Sequence, residues 1–167
     1  MTSVGLLSDT HGYVDKRIIT FFEQCDEIWH AGDIGTIDLF KTFGKNKLIK
    51  AVYGNIDNHE IRKFFPAINT FKCEEVDVLI THIGGYPNHY TSELKKILSN
   101  SSPKLLICGH SHILKVIYDK KHDLLFINPG AAGINGFHKK QTAVRFIIDR
   151  NDIRNLEIWE SDRNKIV

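Results

Sequence analysis

The stretch VGLLSDTHG, residues 4–12, decides the fold: an apolar run stops abruptly at Ser8, Asp9, Thr10, His11 and Gly12. An apolar run that ends in a polar turn reads as a buried strand running into a loop. The same punctuation recurs along the chain. EIWH leads into AGDIG (Asp33), KLIKAVY into GNID (Asn55, Asp57), VDVLI into TH (His82) and PKLLIC into GHSH (His110, His112). One sheet is thereby predicted to deliver Asp, Asn and His side chains to one edge, where open α/β sheets place their ligands.

The rest of the chain narrows the reading. A length of 167 residues suits a single domain, 1–167, with a core large enough to need no staples. The net charge of +2 is too small to imply a membrane surface or long nucleic acid as partner. Cys25, Cys73 and Cys108 show no CxxC spacing, which argues against zinc-finger and redox motifs and fits a reducing, cytoplasmic setting. The first residues, MTSVGLL, read as a first strand and not as a signal peptide, and no run is long enough to span a bilayer. A small-molecule substrate is the partner expected, and an oligomer is compatible with all of this.

Val14, Ile18, Phe21, Phe22 and Cys25 fall on one helical face, and Leu39, Phe40 and Phe43 mark a second short helix. These alternate with strands expected at Glu27–His30 and Leu48–Tyr53, an order that predicts parallel pairing with helical crossovers. Val76, Val78 and Ile80 alternate into His82, and Leu94, Ile97 and Leu98 mark a further helix. From Leu105 onward, short strands are expected at Leu105–Cys108, Lys115–Tyr118, Leu124–Ile127, Thr142–Ile148 and Ile153–Trp159. Their Gly, Asn and Asp turns predict antiparallel pairing. The fold class expected is α/β, two mixed sheets face to face and flanked by helices. The glycine-rich Asn128–Gly136 segment reads as a loop within the domain.

Asp9-x-His11 and His110-x-His112 each place two ligand types two residues apart, where extended backbone points them the same way. Imidazole mixed with carboxylate suits a first-row divalent ion. Manganese is the ion expected, with iron, zinc, nickel or magnesium as alternatives. Asp9, His11, Asp33, Asn55, His82, His110 and His112 are too many for one tetrahedral ion and suit two ions sharing a carboxylate. Asp33, alone in its cluster, is the bridging candidate. Paired ions hold a nucleophilic hydroxide and clamp an in-line phosphoryl displacement, in a core of charge about +1 that attracts an anion.

As an ordered set, SDTHG, GDI, GNID, TH and GHSH resemble the signature blocks of the calcineurin-like metallophosphoesterase superfamily, over Ser8 to about Gly130. The short length is most similar to the small YfcE-like phosphodiesterases. The resemblance implies a four-layer αββα sandwich. It also implies one ion on Asp9, His11, Asp33 and His112 and another on Asp33, Asn55, His82 and His110, with Asn55 also touching the substrate phosphate. Asp57 supports catalysis either by orienting Asn55 or by capping the next helix. The function implied is hydrolysis of a small or nucleotide-like phosphodiester by a metal-bridging hydroxide. Phosphomonoester hydrolysis and a non-catalytic scaffold like the retromer subunit of this fold are the alternatives.

Ile56 stands where many relatives carry a histidine that protonates the leaving group, so dependence on good leaving groups is expected. His59 is a weaker substitute, read as an exposed helical residue. Tyr86, His89 and Tyr90, after His82, read as a wall that contacts substrate. His30 reads as packed or supporting a ligand, and His122 and His138, beside lysines, as solvated.

Overall fold

A computed structural model describes residues 1–163. The first sheet opens with β1 (Thr2–Leu7), which pairs in parallel with β2 (Glu27–His30), itself parallel to β3 (Leu48–Ala51). The crossovers are α1 (Lys16–Phe21) and a 3-10 helix, Ile37–Phe43. Asp15 caps α1 through its carboxylate, and Thr36 caps the 3-10 helix through its hydroxyl. After α2 (His59–Phe64) the chain enters the second sheet with β4 (Ile68–Cys73) and β5 (Val76–Thr81). Then α3 (Ser92–Asn100) leads to β6 (Leu105–Ile107), β7 (Leu114–Asp119) and β8 (Leu124–Pro129). Finally β9 (Lys140–Asp149) and β10 (Asp152–Asp162) return to the first sheet. The strand orders are β10-β9-β1-β2-β3 and β4-β5-β6-β8-β7.

Side-chain alternation explains the layers. Val4, Leu6, Trp29, Val52, Val144 and Phe146 of the first sheet meet Val78, Ile80, Leu105, Ile107 and Ile127 of the second in the central core. On the outer face of the first sheet, Leu7, Ile28 and Ala51 pack on Ile18, Phe22, Phe40 and Ile61 from the helices. On the outer face of the second, Leu79, Leu106 and Phe126 pack on Leu94 and Leu98 of α3. The result is the αββα sandwich, in which the central parallel strand β6 is apolar on both faces.

The structure corrects several details. The strands after Leu105 are not uniformly antiparallel: β6 lies between parallel β5 and β8, while β7 with β8 and β10 with β9 are the antiparallel pairs. The unbroken LLI run of β6, buried at every position, is the mark of a central parallel strand. β4 went unread because it is a half-exposed edge whose Asn69 and Lys72 blur the alternation. The first helical pattern contracts to α1, with Val14 and Cys25 packing from the flanking turns.

Candidate metal centre

Each expected ligand sits at a strand end. Asp9 and His11 follow β1, Asp33 follows β2, Asn55 follows β3, His82 follows β5, and His110 and His112 follow β6. Both sheets therefore contribute, so the site lies at one end of the seam between them. The loops are not extended as the spacing implied. Asp9, His11, Asp33, His110 and His112 adopt φ of 53°, 49°, 56°, 67° and 57°, the left-handed region. Such backbone costs on the order of 1–3 kcal/mol per residue and persists where surrounding contacts enforce it. Here Asp9, His11 and Gly12 donate backbone hydrogen bonds to Gly32, Asp33 and Ile34, lacing the first two loops together. Gly54 permits the third loop to close in, since a Cβ there would lie 2.0 Å from Asp33 Oδ1.

Asp33 spans the site: Oδ1 lies 3.3 Å from His82 Nε2, and Oδ2 lies 4.0 Å from His11 Nε2. Asp9 does the same from the other side, with Oδ1 3.2 Å from His112 Nε2 and 3.9 Å from His82 Nε2. Asn55 Oδ1 sits 3.1 Å from His82 Nε2, and the His110 ring lies 5.2 Å from that of His82. Two candidate ligand groups result among the described residues, Asp9 with His11 and His112, and Asp9 with Asp33 and His82. Within each, one donor atom per residue lies within 4.8 Å of the others.

The donor set fits metal ions. Asp9 Oδ1 and His11 Nε2 are buried, yet among the described residues neither finds a hydrogen-bond partner despite the neighbours around them. A buried carboxylate oxygen and imidazole nitrogen without partners are costly unless an ion collects them. The charges point the same way. Burial works to raise both Asp9 and Asp33, but His112 beside Asp9 and His82 beside Asp33 hold them below the usual carboxylate range. Burial also works to lower His82, yet Asp33 and Asp9 raise it overall.

A further layer fixes these side chains. His82 Nδ1 donates to the Ala31 carbonyl at 2.7 Å, which fixes the ring with Nε2 turned toward Asp33 and Asn55. Asp57 accepts from the backbone N–H groups of Gly54, Ile34 and Gly35 at 2.8, 3.1 and 2.8 Å, tying the Asn55 loop to the Asp33 loop. Asn58, not Asp57, caps α2. His30 accepts from Gly32 N at 3.1 Å and donates to Thr10 Oγ1 at 2.9 Å, and Thr10 donates to the Ile34 carbonyl at 2.9 Å. Asn128 donates to the Gly109 carbonyl and to Ser111 Oγ, bracing the loop of His110 and His112.

Other expectations change. Tyr90 is buried under α3 with its hydroxyl on Asp119 Oδ2 at 2.8 Å, so it does not wall the site. His122 is not simply solvated, because its Nδ1 also meets Asp119, at 2.8 Å. His138 is buried and lies 3.0 Å from His112 Nδ1, against the reading of it as solvated. Tyr86 and His89 are exposed, with rings 4.8 Å apart, and Lys115 Nζ lies 4.0 Å from the Tyr86 ring centre. Ile56 and His59 are exposed. A residue the sequence did not single out is Arg62. It lines a cavity of ≈ 280 Å³ with Tyr53, Asn55, His82 and Ile83. Its Nε donates to the Asp57 carbonyl at 2.8 Å, and its guanidinium lies 4.7 Å from the Tyr53 ring centre.

Fold and site together define an αββα sandwich with a candidate metal centre at the seam of its sheets. The chain belongs to the calcineurin-like phosphoesterase superfamily, whose domain matches residues 2–151. That membership makes it a metal-dependent phosphoric ester hydrolase by family. It is similar to a protein of Mycoplasma pneumoniae named "Probable metallophosphoesterase", with 31% identity over 80% of this chain and 81% of that protein. Among solved structures, a novel archaeal phosphodiesterase shares the fold at a TM-score of 0.72 and 22% identity, covering 94% of this chain and 99% of that one. Vps29 of Entamoeba histolytica, complexed with zinc, shares it at a TM-score of 0.72 and 14% identity, covering 97% and 99%. Among the described residues no helix is long and apolar enough to cross a membrane.

Proposed function

We propose that the protein is a phosphodiesterase that uses two divalent ions held by Asp9, His11, Asp33, Asn55, His82, His110 and His112. The observation that carries this reading is the pair of unpartnered buried atoms, Asp9 Oδ1 and His11 Nε2, inside two donor groups joined through Asp9. Divalent ions bound there supply Lewis acidity to the phosphoryl oxygens and lower the pKa of water toward neutrality. The chain does the rest. Asp9 and Asp33 offset the cationic charge from between the histidines. Asn55 reaches the edge of the centre and orients the phosphate with its side-chain amide. Arg62, beside Asn55 on the cavity wall, attracts the anion and steers its second ester group into the cavity. Room for that second group is what favours a diester. With Ile56 exposed beside Asn55, no imidazole at that position protonates the leaving group.

The scaffold reading draws on the Vps29 likeness, but that likeness shows the fold alone. Because that Vps29 was itself solved with zinc, metal content does not separate the readings. Hydrolysis does. Metal-stripped protein reloaded with manganese, nickel, zinc or magnesium is assayed on bis(p-nitrophenyl) phosphate and on p-nitrophenyl phosphate. Metal-dependent turnover with the diester preferred supports the proposal. Preference for the monoester makes the protein a phosphomonoesterase, and absence of turnover with any ion favours the scaffold.

A further inference from the structure

The loop between β8 and β9 folds back over the end of β6. It carries His138 to within 3.0 Å of His112, Nδ1 to Nδ1. Its other ring nitrogen, Nε2, lies 3.0 Å from the Gly133 carbonyl. A carbonyl only accepts, so His138 Nε2 carries the proton. An imidazole whose proton sits on Nε2 presents Nδ1 as an acceptor, so His138 Nδ1 accepts in turn. The proton between the two rings therefore belongs to His112 Nδ1. His112 Nε2, 3.2 Å from Asp9 Oδ1, is the ring atom left to ligate an ion. We propose that His138 is a positioning residue that sets the tautomer of His112 and so completes the ion site of Asp9, His11 and His112.

The loop is shaped for this contact. Gly136 holds φ 121°, and a Cβ there would lie 2.5 Å from the His112 ring. A side chain at that position would push the loop off His112. Phe137 stacks on the same imidazole with ring centres 5.6 Å apart and planes 9° from parallel. His82, in the other half of the site, has its Nδ1 set by the Ala31 carbonyl. His112 has a relay through a second imidazole instead, so its half of the site can be weakened separately. A hydrogen-bond partner behind a ligating histidine fixes its orientation and raises its basicity.

The inference rests on reading Asp9, His11 and His112 as ion ligands, and two measurements test it. Long-range ¹H–¹⁵N NMR of the metal-free protein reports the tautomer. Wild-type His112 is expected protonated at Nδ1, and His138→Ala is expected to shift it toward Nε2–H. Calorimetric titration with Zn²⁺ is expected to show one of two ions bound about 10–100-fold more weakly in His138→Ala, the other unchanged. His138→Asn, whose carbonyl can accept from Nδ1–H, is expected to recover most of the affinity. Should the alanine variant not fold, His138→Phe fills the volume without accepting and is expected to behave in the same way. A variant that folds and keeps both the wild-type tautomer and the wild-type Zn²⁺ affinities overturns the inference and leaves the metal reading intact. Wild-type protein that takes up no Zn²⁺ overturns both.

Discussion

Asp9 and His112 face each other across the seam of the two sheets, Oδ1 to Nε2 at 3.2 Å, with the carboxylate fully buried and that oxygen without a hydrogen bond among the described residues. Asp9 hangs from the parallel half of the first sheet and His112 from the centre of the second. An ion between them joins the two layers, so metal should stabilise the fold as well as serve the chemistry. At a free concentration 100 times its Kd, an ion adds about 2.7 kcal/mol through mass action. Thermal unfolding with Mn²⁺ and with EDTA should differ by several degrees, and Asp9→Asn should shrink the gap. Equal midpoints in wild-type protein would count against ions at the seam.

Asp57 makes a different prediction because it contacts no ligand side chain. Its carboxylate collects backbone N–H groups from Gly54, Ile34 and Gly35. Asp57→Ala leaves those donors buried and unmatched and should cost about 2–4 kcal/mol in urea denaturation. Metal affinity should fall with it, since the Asp33 and Asn55 loops lose their tie. A loss below about 0.5 kcal/mol would remove Asp57 from this role.

His30 predicts a pH dependence. Burial pushes its pKa down from 6.5 to about 4. The folded protein therefore holds His30 neutral where the unfolded chain accepts a proton. Its contribution is complete above about pH 6.5 and is lost as pH falls toward about 4, a change of roughly 3 kcal/mol. A charged His30 would also present a donor to Gly32 N–H, which is itself a donor. Urea unfolding of metal-free protein across this range should weaken more steeply for wild type than for His30→Gln. Identical slopes would show that His30 is not the source.

The candidate ligands were legible as one cluster because each apolar run stops at a polar turn, and parallel strands bring such turns to the same end. What the sequence concealed was made by chain folding back on itself. His138 precedes Lys139 and Lys140 and reads as solvated until the β8–β9 loop sets it on His112. Tyr90 follows two glycines and a proline like a surface residue, but Asp119 on distant β7 holds it inside. Asp57 acts through backbone donors, which leave no pattern in side-chain identity. The left-handed turns at the ligands were hidden too, because Asp and His at those positions give no cue comparable to glycine.

Arg62 should affect binding more than turnover. Arg62→Ala removes a cation from the cavity wall beside Asn55 and is expected to raise KM for a diester about tenfold, with kcat within about threefold. The opposite pattern would move Arg62 from substrate binding into the chemical step.

The leaving group offers an independent check. Without an imidazole at Ile56, rates for a series of aryl phosphodiesters should fall steeply as the phenol pKa rises. A flat series would show that another group donates the proton, with His59→Ala the first variant to examine.

One titration tests the paired-ion centre most directly. Mn²⁺ is added to metal-stripped protein while bound ions per chain and diester turnover are read together, in wild type and in Asp33→Asn. Two ions per wild-type chain are expected, with turnover rising as the second site fills and falling at least a hundredfold in Asp33→Asn. Full turnover with a single ion, or full turnover in Asp33→Asn, would contradict the paired-ion centre.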